Sequence, residues 1–250
     1  MNETPLNKAS KRVAISQPTY LPWLGYLKMI QSVDVFVFLD NVQFQKQSWQ
    51  SRNRIKTHLD ETLWLSVPTK NHGLGTPISE VMIADKSNWQ RKHINSIQTY
   101  LGKTSYCAEV QELLQSVFEQ PLIYLADLNI ELITSLCSKL NINTKLVRAS
   151  DLNVAGSRTD LLLDILTKLN ADEYLANLGS KSYLKDEHSR FDEVDIAIEY
   201  HEWSPPFYEQ KGNQFIDKLA WVDAVSYMGF APDKLLNSPT DTPTEKEVVK

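Results

Sequence analysis

Residues 12–17 (RVAISQ) are β-branched and apolar, and the prolines at 18 and 22 stop a strand there and permit a helix from about Trp23. Leu24, Leu27, Met29 and Ile30 then recur along one helical stripe. Residues 33–39 (VDVFVFL) are short and dense in Val and Phe, which reads as a buried strand. Strand, helix and strand in this order predict a right-handed βαβ unit, the start of a parallel sheet.

Residues 40–51 (DNVQFQKQSWQ and Ser51) form a polar segment leaving the carboxyl end of that second strand, where open α/β sheets place ligand-binding loops. Residues 63–67 and 78–83 read as two more strands around the Gly-rich loop 69–77. Apolar residues recur at helical spacing over 88–101, 109–118 and 122–140, with Ser87 as N-cap of the first helix. A strand over 145–147, a helix over 158–169, strands over 173–177 and 195–200, and a helix over 215–228 ending on an αL cap at Gly229 complete the pattern. The fold class is α/β, a parallel-sheet, Rossmann-like core with a largely helical middle segment over about 88–140. Residues 12–230 are expected to form one domain between two uncommitted ends, 1–11 and 237–250.

Composition narrows the chemistry. Of 250 residues 42% are hydrophobic, and 26 Lys and Arg against 31 Asp and Glu leave a net charge of −5. That balance argues against a generic grip on nucleic acid or on an anionic membrane and favours a small-molecule or protein partner. No apolar run approaches the ~20 residues of a membrane span, and the N-terminus has no apolar signal region. Cys107 and Cys137 stand apart from any Cys/His cluster, and the histidines lack metal-ligand spacing. A cytoplasmic protein with no catalytic metal is expected.

The densest constellation is Gln17-Pro18-Thr19-Tyr20-Leu21-Pro22-Trp23-Leu24-Gly25-Tyr26, followed by residues 34–46 (DVFVFLDNVQFQK) and by Trp49, Arg52 and Asn53. With Trp64 to Pro68, Trp89 with His93, Tyr100, Arg158, Tyr174, Gly179 with Tyr183, Tyr208 with Gln210, and Asp223 with Gly229, this ordered set resembles the WbqC-like family over residues 12–230. The resemblance implies a role in the biosynthesis of O-antigen and other surface polysaccharides. The leading expectation is amide formation on a nucleotide-linked amino sugar, with an acyl or aminoacyl thioester on a carrier protein or coenzyme A as co-substrate and no tightly bound cofactor. The alternatives are a non-catalytic sugar-nucleotide or partner-binding module, and a degenerate nucleotidyltransferase. The third follows from a weaker likeness of strand, Pro22 to Tyr26 and helix to the HxGH element of nucleotidyltransferases. There Trp23 and Tyr26 replace the two histidines, and a helix N-terminus aimed at an anion is what would survive.

The residue types suit these tasks. Asp40, on a polar loop at a strand's carboxyl end, is placed to accept an amine proton, and His93, one turn beyond Trp89 with an ordinary pKa of ~6.5, is the other candidate base. Tyr20 and Gln17 are the candidate oxyanion donors. Arg52 offers the planar fork that suits phosphate, with Lys46 second. Trp23, Tyr26, Gln43, Trp49, Asn53, Arg158 and Tyr183 are expected around the substrate.

Overall fold

The computed structural model describes residues 10–85 and 88–237. The cap expected at Ser87 and most of the two uncommitted ends lie outside the described residues. In chain order the first elements are β1 (Arg12–Ser16), α1 (Leu24–Gln31), β2 (Val35–Phe38), β3 (Arg52–Lys56) and β4 (Thr62–Ser66). The helices α2 (Trp89–Leu101), α3 (Cys107–Phe118) and α4 (Leu125–Lys139) follow. Then come β5 (Lys145–Arg148), α5 (Thr159–Lys168), β6 (Glu173–Asn177), α6 (Lys181–Leu184), α7 (His188–Asp192), β7 (Ala197–His201), α8 (Trp221–Met228) and α9 (Pro232–Leu236).

These elements gather into two compact units. The first takes the described residues up to 16, then 32–39 and 144–202. It holds a five-stranded sheet in the order β5-β2-β1-β6-β7, and every pairing is parallel, with Val13 opposite both Val35 and Tyr174. Strands inside a parallel sheet are covered on both faces and need continuous apolar runs. Accordingly β2 is buried at all four positions and β1 at Val13, Ala14 and Ile15, whereas the edge strands β5 and β7 carry mixed sequence. Phe191 of α7 stacks on Tyr174 of β6 with ring centroids 6.0 Å apart. The α/β class with a parallel core is as the hydrophobic pattern predicts, and α1 lies in the connection between the paired strands β1 and β2.

The second unit takes residues 17–31, 40–143 and 203 onward. Its centre is the antiparallel hairpin β3–β4, with Asn53 opposite Leu65 and Arg54 opposite Trp64. Helix α2 buries Trp89, His93, Ile97 and Leu101, every fourth residue, and α3 buries Val110, Leu113, Leu114 and Val117. The inner stripe of α4 runs Leu125, Leu128, Asn129, Leu132, Ile133 and Leu136, apolar but for the asparagine.

Three expectations are corrected and one strand is added. Residues 78–83 are a 3₁₀ turn over Ile78–Glu80 followed by single bridges from Met82 and Ile83, because the buried Ile78 and Val81 stand three residues apart, the 3₁₀ period. Strand β3 is an element that the polar sequence RNRIK conceals, having Ile55 as its one apolar residue. Helix α8 begins at Trp221 instead of residue 215, since Lys218 sits at φ +52° and the amides of Ala220 and Trp221 donate to the carbonyls of Arg54 and Pro22. Gly229 has φ +75° but ψ 179°, so it ends α8 without the αL conformation, and the Tyr106 ring lies 2.9 Å from where a Cβ would stand. The short helices α6, α7 and α9 have four or five residues each, too few to show a helical period.

Candidate functional site

The chain from Gln17 to Trp23 is a turn with two prolines that leads into α1, and its main-chain carbonyls have no strand to pair with. Buried carbonyls need donors, and the second unit supplies them from side chains. The Asn53 amide donates to the Tyr20 carbonyl at 3.2 Å and the Leu21 carbonyl at 2.6 Å, holding Leu21 at φ +43°. The Asn129 amide donates to the Pro18 carbonyl at 3.2 Å and the Gln50 carbonyl at 2.7 Å. The Tyr26 hydroxyl donates to the Gln17 carbonyl at 3.0 Å and closes the turn on itself. Asn129 was not foreseen from the sequence; its signal is a lone amide on an otherwise apolar helical stripe.

Gln50 ties the turn to the following loop. Its amide group donates to Gln17 Oε1 at 2.8 Å, while its own Oε1 accepts the Gln45 N–H at 2.9 Å. The Gln17 NH₂ is left without a partner among the described residues. Trp23 is half-buried, its ring 5.9 Å from that of Trp203 and 5.8 Å from the Lys218 ammonium, and it covers Gly25 so closely that a Cβ there has no room. Trp23 and Tyr26 are both engaged in packing the turn.

Tyr20 is fully enclosed, and its hydroxyl lies 2.8 Å from His93 Nδ1. Burial raises the Tyr20 hydroxyl well above its usual range and lowers the His93 imidazole to about 4, partly opposed by a hydrogen bond to the Ser66 main chain. Neutral His93 thus accepts a hydrogen bond from the Tyr20 hydroxyl at Nδ1 and donates its own ring N–H to the Ser66 main chain. Trp89 packs against both rings, at centroid distances of 6.4 and 5.3 Å. Asp40 has no exposed surface, and its carbonyl accepts the Ser79 N–H at 2.9 Å. A ligand reaches Tyr20 or Asp40 only after the covering residues move.

The open chemistry lies on the hairpin. Successive strand residues face opposite sides, so Arg52 and Arg54 share the outer face with Trp64 and Ser66, while Asn53, Ile55 and Leu65 are buried beneath. Arg52 and Asn53, expected together at the substrate, therefore part company. The Arg52 guanidinium lies 4.3 Å from the centroid of the Trp64 ring, and Trp49 stands 5.5 Å from Trp64 with an interplanar angle of 40°. Arg52 also lines a pocket of about 290 Å³ with Lys46, Phe44, Ser51, Ser66 and Thr69. Among the described residues no carboxylate pairs with Lys46, Arg52 or Arg54. Gln17, Tyr20 and Asp40 are not among the residues lining that pocket. Gln43 is exposed and pairs through its main chain with Pro77.

Arg158 and Tyr183 belong to the first unit, both exposed, Arg158 at φ +51° just ahead of α5 and Tyr183 on α6. Cys107 and Cys137 are buried free thiols, and burial raises both, Cys137 to about 12. No group of three or more His, Cys, Asp and Glu side chains among the described residues is arranged to hold a metal ion. No described helix is long and apolar enough to cross a membrane. Tyr208, Gln210 and Asp223 brace the 205–216 segment. The Tyr208 hydroxyl donates to Asp223 at 2.9 Å, and Gln210 exchanges two hydrogen bonds with the Ile216 main chain.

Residues 17–233 match the sequence profile of the WbqC-like protein family. One curated relative, described as "Uncharacterized protein Rv1507c" from Mycobacterium tuberculosis, is 31% identical over 229 residues, which span 90% of this chain and 97% of the relative. No solved structure matches the chain. The matched span runs from the first residue of the proline turn into α9 and takes in the basic hairpin pocket, and on that extent the chain belongs to the WbqC-like protein family.

Proposed function

We propose that this protein binds a nucleotide-linked amino sugar in surface-polysaccharide biosynthesis, O-antigen included, and forms an amide on its amine. The acyl or aminoacyl donor is a thioester on a carrier protein or coenzyme A. The observation that carries the reading is the union of Lys46 and Arg52 in one pocket, neither met by a carboxylate among the described residues. Two such cations in a chain of net charge −5 are a local anion site, and the Arg52 fork suits a diphosphate. Membership of the WbqC-like family supports the polysaccharide setting.

The reaction asks little of the protein. The amine attacks the thioester carbonyl, the C–N bond forms and the C–S bond breaks, and the thiol leaves with the proton that the amine gives up. Both substrates must be held, the proton carried and the oxyanion stabilised. In this reading the free Gln17 amide is the oxyanion donor, and Tyr20, whose hydroxyl hydrogen bond is given to His93, holds the turn that carries it. Asp40 carries the proton once a ligand opens its surroundings. His93, a weak base at neutral pH behind Tyr20, holds that tyrosine in place.

A second reading, a sugar-nucleotide-binding module without turnover, is favoured by the enclosure of Tyr20, Asp40 and His93. One experiment separates the two: incubation with 3-amino and 4-amino sugar nucleotides and acyl thioesters, followed by mass spectrometry for the amide and calorimetry for binding. Product with the unmodified protein and a roughly 10²–10⁴-fold loss in Asp40→Asn at near-constant affinity support the enzyme. Binding without any product supports the module. Absence of binding, or an Arg52→Ala variant that binds as tightly as the unmodified protein, sinks both; the expected loss in Arg52→Ala is roughly 1.5–3 kcal/mol.

A further inference from the structure

We propose that Trp49 and Trp64 form the subsite for the aromatic base of a nucleoside diphosphate whose phosphates lie against Lys46 and Arg52. The inference rests on the phosphate reading of that pocket and adds to it the part of the ligand that the neighbouring surface recognises. Trp49, in the loop just ahead of β3, is 48% exposed and stands beside Trp64, 40% exposed on the outer face of the hairpin whose other face buries Asn53, Ile55 and Leu65. Tryptophan has the largest apolar surface of any side chain, and these two, their planes 40° apart, leave an angled aromatic surface open to a ligand ring.

Arg52 joins this area to the pocket. Its guanidinium lies over Trp64 at 4.3 Å, and the same side chain lines the pocket with Lys46. A ligand with a phosphate on Arg52 therefore has its next ring beside Trp64. Charge agrees with this, since Arg54 stands opposite Trp64 on the same face and no described carboxylate pairs with Arg52, Arg54 or Lys46. Trp64 is also held in advance of binding, because Asn53, Ile55 and Leu65 anchor its hairpin from below. Stacking on an indole needs only a π-face, so this subsite distinguishes ligands with a base from those without and tolerates any base.

Calorimetric titration of the full chain with inorganic pyrophosphate, UDP, CDP and ADP tests the proposal, with tryptophan fluorescence as a second readout. The three nucleotides are expected to bind within several-fold of one another and roughly tenfold or more tighter than pyrophosphate, in line with stacking on other proteins. Trp49→Ala, which leaves Arg52 untouched, is expected to erase most of that advantage while pyrophosphate binds as before. Trp64→Phe, which keeps a ring under Arg52, is expected to keep part of it. Nucleotides that bind no tighter than pyrophosphate overturn the base subsite and leave the phosphate pocket standing. So does a Trp49→Ala variant that weakens both ligands equally. If neither pyrophosphate nor any nucleotide binds, the phosphate reading falls and the base subsite falls with it.

Discussion

The Tyr20 hydroxyl donates to Nδ1 of His93 at 2.8 Å and pins the proline turn to the second turn of α2 through two enclosed side chains. Nothing in the local sequence joins residues 73 positions apart. The bond exists because both rings are driven into the same core by Trp89, and each is then the other's polar partner.

His93 makes stability depend on pH. Its imidazole titrates near 4 in the folded protein against an ordinary 6.5, so the contribution is fully present above about pH 6.5 and is lost as pH falls toward 4. At about 1.36 kcal/mol per unit this amounts to on the order of 3 kcal/mol. Denaturant unfolding of His93→Gln between pH 4 and 7 should show that slope flattened. A variant as acid-sensitive as the unmodified protein would show that other groups produce the slope.

Asp223 works in the opposite sense. Burial raises its carboxyl from 3.8 to about 6, against the Lys56 N–H and the Tyr208 hydroxyl that both donate to it. Its contribution is present below about pH 3.8 and is lost as pH rises through 6. Over pH 4–6 it offsets part of the His93 effect. Asp223→Asn should therefore gain stability with pH more steeply than the unmodified protein over that range, whatever its absolute stability. An unchanged slope would mean that Asp223 is already ionised when folded.

Asn53 is expected to matter for the turn before it matters for any ligand. Asn53→Ala strips the donors from the buried Tyr20 and Leu21 carbonyls. Each unsatisfied group costs about 1–3 kcal/mol, so a loss of roughly 2–6 kcal/mol is expected for the two, while Arg52→Ala on the outer face should cost under about 1 kcal/mol. Equal losses in the two variants would contradict the alternation.

Gly25→Ala should destabilise the protein although alanine is the better helix former by about 1 kcal/mol. The Trp23 indole occupies the space that the new methyl needs. Combining Gly25→Ala with Trp23→Ala should recover part of the loss, because the methyl then has room. Thermal unfolding of the two single variants and the double variant measures the coupling, and strict additivity would exclude it.

How much of this was legible follows from the range of each signal. Strands β1, β2 and β6 and helices α1 to α5 announce themselves by the apolar periods of their own residues, because burial on two faces or along one stripe is written locally. The parallel βαβ start follows from that order and from the handedness of crossovers. Lys46 and Arg52 were identifiable as phosphate-type side chains by their chemistry alone.

That their pocket omits Gln17, Tyr20 and Asp40 was not legible, nor was the parting of Arg52 from its neighbour Asn53. That parting depends on residues 52–56 being a strand, and RNRIK becomes one only by pairing with 62–66. Cross-strand register puts Trp64 on the outer face, under Arg52. Asn129 and His93 receive their roles from carbonyls and hydroxyls more than 70 residues away, where burial obliges every polar atom to find a partner. Periodicity along the chain carries the elements, and the hydrogen-bond demands of a closed interior allot the polar side chains between support and open surface.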